Sequence, residues 1–157
     1  MTLFEAVLSG DRVRVQSLID GKADVNKPNQ NGVRVVDIVC AYGDNLCLKI
    51  LLDAKVNINL VNRFAMSPLY IATSKQHPQC VKVLIEHGAN VQTPNEQNMT
   101  PLYIASAQGE EESVKMLLEA KANLHTAATD GSTAALMSCI KGHPSLSNNP
   151  NNPSSEK

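Results

Sequence analysis

Tryptophan is absent from this 157-residue chain, and only three Tyr and two Phe stand in for it. With aromatics at 3%, a core has to come from Leu, Ile, Val and Ala. That favours helices over a β-sandwich, because strands draw on aromatic and β-branched residues. Neither acidic nor basic residues are in marked excess. A formal net charge of -1 offers no general attraction to nucleic acid or an anionic membrane. The four cysteines, Cys40, Cys47, Cys80 and Cys139, form no CxxC pair, which argues against a zinc site. No apolar run approaches the ~18 residues of a membrane span. The opening "MTLFEAVLSGD" lacks the basic start of a signal peptide and meets Asp11 early. A reduced protein of the cytosol or nucleus is expected, and the sequon Asn98-Met99-Thr100 is then a chance match.

Signs of catalysis are also lacking. There is no nucleophile with its base, no phosphate-cradling glycine loop and no carboxylate pair, so neither enzyme activity nor a cofactor is expected. His77, His87, His125 and His143 are scattered, without a carboxylate or cysteine at ligand spacing, and no metal is expected. Glu110–Glu112 stands where acidic charge suits the start of a helix.

What the chain does contain is a phrase said twice, "MSPLYIA" at Met66–Ala72 and "MTPLYIA" at Met99–Ala105, 33 residues apart. The same step takes Leu102 back to Leu69, Val36 and Leu3. It also relates the triplets Val15/Leu18/Ile19, Leu48/Leu51/Leu52, Val81/Leu84/Ile85 and Val114/Leu117/Leu118. Each triplet has the i, i+3, i+4 spacing of one helical face. Self-similarity at this period marks a repeat protein.

Each unit reads as two short antiparallel helices and a loop. Thr100-Pro101 and Ser67-Pro68 suit the start of a first helix, and Thr2 with Glu5 makes a capping box. Gly10, Gly43, Gly109 and Gly142 mark the turn between helices, with Gln76 breaking the column. The second helix ends at Gly88 in one unit but at Lys22, Lys55 and Lys121 in the others, which predicts strain in those three turns. Cys47 and Cys80 sit at equivalent places on successive second helices. Stacked helices lie ~8–10 Å apart, too far for a disulfide, so these are expected as small buried hydrophobes.

The pattern resembles the ankyrin repeat, whose T-P-L-H-x-A signature matches "TPLYIA" with Tyr in place of His. The resemblance implies an all-α solenoid of stacked antiparallel helix pairs with projecting hairpin loops. It spans a domain over 1–143, with units at about 1–30, 31–63, 64–97 and 98–130 and a partial one at 131–143. The second unit departs from the signature with "RVVDIVC" at Arg34–Cys40 and loses the usual cap. Phe4, Tyr70 and Tyr103 occupy the His position of the signature and are expected inside. Residues 144–157, rich in Asn, Pro and Ser, are expected to be disordered, with Pro144 preventing a second helix in the last unit. The stack would then lack a polar cap, as in a piece of a longer product or a fraying last helix.

Ankyrin repeats imply a non-catalytic module that binds another protein, as a monomer, away from nucleic acid and membranes. The rival expectation is a dedicated inhibitor or adaptor of one enzyme such as a kinase. Function should lie where the copies differ. Tyr42, Lys75 and Gln108 fall in a column that resembles the family's concave face, and Phe64 sits on the loop Asn62–Met66. The expected gripping residues are therefore Tyr42, Lys75 and Gln108 with Arg63, Phe64 and Met66 on one tip and Glu96 and Met99 on the next. The alternative is that Met66 and Met99 fold back over the helix starts and Phe64 packs on a neighbouring loop. Asn26, and less well Asn59, match the sequence context in which ankyrin loops are hydroxylated, whereas short Asn side chains also stabilise turns on their own.

Overall fold

The computed structural model describes residues 1–142, and every regular element of more than one residue among them is an α-helix. The expected disordered tail at 144–157 lies outside the described residues. Inner helices α1 (Leu3–Leu8), α3 (Val35–Tyr42), α5 (Pro68–Ser74), α7 (Pro101–Gln108) and α9 (Ala134–Lys141) form one layer. Outer helices α2 (Arg12–Asp20), α4 (Asn45–Asp53), α6 (Pro78–Glu86) and α8 (Glu111–Glu119) form the other. α1, α3, α5 and α7 each pack on the outer helix that follows, successive inner helices stack from α1 to α9, and successive outer helices stack from α2 to α8.

These helices are six to nine residues long, too short to hold themselves in water. Caps define their starts. Thr2, Ser67, Thr100 and Thr133 each accept a backbone N–H from three residues on, and Thr2 and Glu5 complete a reciprocal box. Asp11, Asp44 and Glu110 do the same for outer helices, so the first carboxylate of the acidic run works as a cap. The second unit keeps half a cap. Arg34 has no accepting side chain, but Asp37 Oδ2 takes the Arg34 N–H at 3.0 Å.

The inter-helix glycines adopt left-handed φ, as do Gln76 and the strained Lys22, Lys55 and Lys121. Gly43 is doubly constrained. Its φ is 74°, and a β-carbon there would come within 2.5 Å of the His77 ring. That ring donates from Nε2 to the Ala41 carbonyl at 3.0 Å, tying the third unit to the second. The expectation about Pro144 falls outside the described residues; at the same register two units earlier, His77-Pro78 opens α6 with Pro at the first helical position.

The core runs along the stack as columns. Val15, Leu48, Val81 and Val114 are buried, as are Leu51, Leu84 and Leu117. Leu18, expected in that second column, is only half-buried. It belongs to the first unit, which has no preceding helix packed on it among the described residues. Cys40, Cys47 and Cys80 are buried free thiols. Burial pushes Cys47 and Cys80 up to about 11 and raises Cys40 well above the usual thiol range, so they pack as neutral small groups. Tyr70 and Tyr103 are interior as expected, and each phenol hydroxyl is satisfied by the next loop: Asn95 Nδ2 donates to Tyr70 at 3.0 Å, and Ser132 Oγ lies 2.8 Å from Tyr103. Phe4 is half-buried against the core.

The second unit places Asp37 where the third and fourth have Tyr. It is 4% exposed, and its Oδ1 has no hydrogen-bond partner. Burial raises its pKa, partly offset by the Arg34 backbone N–H and the Arg34 charge.

Two predictions follow from this packing. Leu84→Ala or Leu117→Ala should cost ~2–5 kcal/mol through cavity formation, and Leu18→Ala well under half as much, as measured by urea unfolding. Equal costs at all three positions would contradict the column described. For Asp37, a folded-state pKa above the unfolded one means that ionisation opposes folding. This carboxyl therefore favours the fold at pH below its unfolded value, and that contribution is lost as pH rises through its folded pKa. Asp37→Asn should melt higher than the parent at neutral pH, with the gain vanishing as pH falls to about 4. A variant that melts lower at neutral pH would show that the ionised carboxylate stabilises the fold.

Candidate functional site

The loops that follow the outer helices are built by a recurring asparagine turn. Asn29, Asn62 and Asn95 each accept two backbone N–H groups through Oδ1, from the second and fourth residues on. The backbone closes the same turns: Asn62 N–H donates to Met66 O, and Ala65 N–H to Asn62 O. Gly32, Ala65, Asn98 and Gly131 take the positive φ that this geometry requires. Within each loop the side chain two residues along is therefore lifted to the apex, and in the third unit that residue is Phe64.

Neighbouring tips are tied into a row. Arg34 donates to the Val61 carbonyl at 2.9 Å, Asn98 Nδ2 to Ala127 O at 2.7 Å, and Thr129 N–H to Gln97 O at 2.9 Å. A second ladder runs along the base of the loops. Asn26 Oδ1 accepts the Asn57 N–H at 2.7 Å, Asn59 Oδ1 the Asn90 N–H at 2.8 Å, and Gln92 Oε1 the Asn123 N–H at 3.1 Å. Asn26 and Asn59 thus carry a structural task whether or not they are modified. Their 33-residue register with Gln92 is the sequence signal for this ladder, and the register of Asn29, Asn62 and Asn95 is the signal for the turn.

The expected gripping residues fall into two groups. Arg63, Phe64 and Glu96 are exposed at the tips, while Tyr42, Lys75 and Gln108 are exposed along the inner-helix ends. Tyr42 is 71% exposed, beside a shallow groove shared with Leu8, Val39 and Asp44. Gln108 Nε2 reaches back to the Ser74 carbonyl at 2.8 Å, joining two inner-helix ends. Met66 and Met99 are half-buried and pack against the core, which favours the folded-back alternative for these two. Phe64 remains 48% exposed, and the Arg63 guanidinium lies over its ring, 4.7 Å from the centroid. The sequence placed Arg63 and Phe64 side by side but did not reveal that one lies over the other.

The charges here are sparse. The N-terminal amine pairs with Glu5, and Arg12 pairs with Asp44 at 3.0 Å, joining α2 to the start of α4. No group of three or more His, Cys, Asp or Glu among the described residues is arranged to hold a metal. Nor is any described helix long and apolar enough to cross a membrane.

A search of curated proteins returns no match to this chain. A family model describing ankyrin repeats, built of three copies, matches residues 3–95 and again 36–128. The second match is offset from the first by one repeat period, as expected when successive units are interchangeable. Such repeats generally mediate interactions between proteins. With stacked helix pairs, capped turns and a model match over most of its length, the chain belongs to the ankyrin repeat family.

Proposed function

We propose that this protein is a non-catalytic binding module that holds a partner protein between its loop tips and its inner-helix ends. The observation that carries it is the contrast between positions. Scaffold columns repeat from unit to unit and are buried, whereas Tyr42, Arg63, Phe64, Lys75, Glu96 and Gln108 differ between units and are exposed. Phe64 and Tyr42 put large aromatic area where the fold does not consume it, and aromatic and Arg residues dominate interface hot spots. Met66 and Met99 then serve as half-buried supports under the tips. Hydroxylation of Asn26 and Asn59 rests on sequence context and forms no part of this proposal.

The rigid tips also matter energetically. Each asparagine turn fixes the loop before a partner arrives, so less conformational entropy is lost on binding. Phe64→Ala and Tyr42→Ala should each weaken binding of the captured partner by about 2 kcal/mol while leaving the melting temperature nearly unchanged. Calorimetry of both steps checks this. Variants that melt several degrees lower yet bind normally would assign both side chains to the fold and remove the surface.

A further inference from the structure

We infer that the partner segment held by the second and third units is acidic, with carboxylates set against Arg63 and Lys75 on either side of an apolar contact at Phe64. This rests on the surface proposed above and specifies the chemistry of its occupant.

Three observations carry it. First, the Arg63 guanidinium lies over the Phe64 ring, and no carboxylate is within ion-pairing distance of it among the described residues. A guanidinium stacked on a ring keeps its N–H edges free in its own plane, the geometry that takes a carboxylate bidentately. Second, Lys75 caps the end of α5, the helix that follows this tip, exposed and likewise without an ion pair among the described residues. Third, the exposed tip and inner-helix-end positions up to Lys75, namely Ser9, Gln30, Asn31, Tyr42, Arg63, Phe64 and Lys75, include two cations and no acid. The acids before Glu96 lie elsewhere. Asp37 is buried, Asp11 and Asp44 cap outer helices, Asp20, Asp53 and Glu86 end outer helices, Asp24 accepts the Asn26 N–H at the base of the first loop, and Glu5 is bound to the first turn. An acid first enters the row of tips at Glu96.

Spacing narrows the segment further. From Ser67, at the base of the tip, to Lys75 is eight helical steps, about 12 Å at ~1.5 Å each. An extended chain covers that distance in about four residues. Arg63 stands on the tip beyond Ser67, so two acidic side chains about four or more positions apart in an extended segment, with an aliphatic or aromatic residue between them, fit the face. Beyond them, toward Glu96, the complementary group is a cation or an amide.

Selection of displayed random peptides of about twelve residues, long enough to cross the face, on the full chain tests this. Parallel selections use Arg63→Glu/Lys75→Glu, Phe64→Ala and Glu96→Lys, with circular dichroism confirming that each variant folds. The parent should enrich Asp and Glu at a spacing of about four or more, the double variant should enrich Lys and Arg instead, and Glu96→Lys should lengthen the acidic run. Synthetic peptides from the parent pool should bind the double variant roughly tenfold or more weakly, the loss typical of a hot spot. Peptides that depend on Phe64 but show no acidic bias would overturn the acidic class and leave the surface standing. Enrichment unaffected by Phe64→Ala and by the double variant would overturn the surface itself, and with it this inference. Failure to enrich any peptide, or tighter binding of a homopolymer RNA than of the acidic peptides, would also overturn it.

Discussion

No unit of this protein can bury its own apolar face, and the rest of the structure follows from that constraint. A six- to nine-residue helix gains little from its own hydrogen bonds, so its residence in the fold depends on the helices before and after it. The column Leu18, Leu51, Leu84 and Leu117 displays this directly. The last three are fully buried, and the first, identical in residue type, is half-open in a unit with no described helix packed before it. Burial here is a property of the interface between units, as expected for an architecture whose stability sums over nearest neighbours.

The loops obey the same logic in hydrogen bonds. One ladder passes from Asn26 through Asn59 to Gln92, each side-chain oxygen accepting a backbone N–H of the following unit. The tips above are closed by Asn29, Asn62 and Asn95 and linked to one another. Stacking therefore fixes the loop row as well as the helices. The side chains at the apices differ from unit to unit, and the fold delivers them already ordered. Recognition and stability occupy different positions in each copy, which lets one vary while the other repeats.

Most of the scaffold was legible because every unit places the same residue types at the same register. Helix faces, caps, left-handed turns and the interior Tyr70 and Tyr103 all came from the 33-residue period. What escaped depends on contacts between units or on which neighbour is present. Leu18 looks like Leu84 in sequence, but it sits in the first described unit and is only half-buried. The His77 bond to Ala41 and its fit over Gly43 span residues more than thirty apart. Asp37 restoring half a cap is a local exchange within "RVVD" that no signature describes. At the candidate site, the exposed positions were visible as columns that vary. The stacking of Arg63 on Phe64 and the inward packing of Met66 and Met99 were not, because side-chain direction at a tip is set by the turn beneath it.

Native-state hydrogen exchange resolved by unit tests most directly whether the interfaces between units hold this fold. Amides of α5 and α6, flanked on both sides, should exchange most slowly, with protection falling toward α1 and α2 at one end and toward α9 at the other. A gradient of that form would place the stability between units. Equal protection from α1 to α9, or slowest exchange in a terminal helix, would contradict it and return the stability to the individual units.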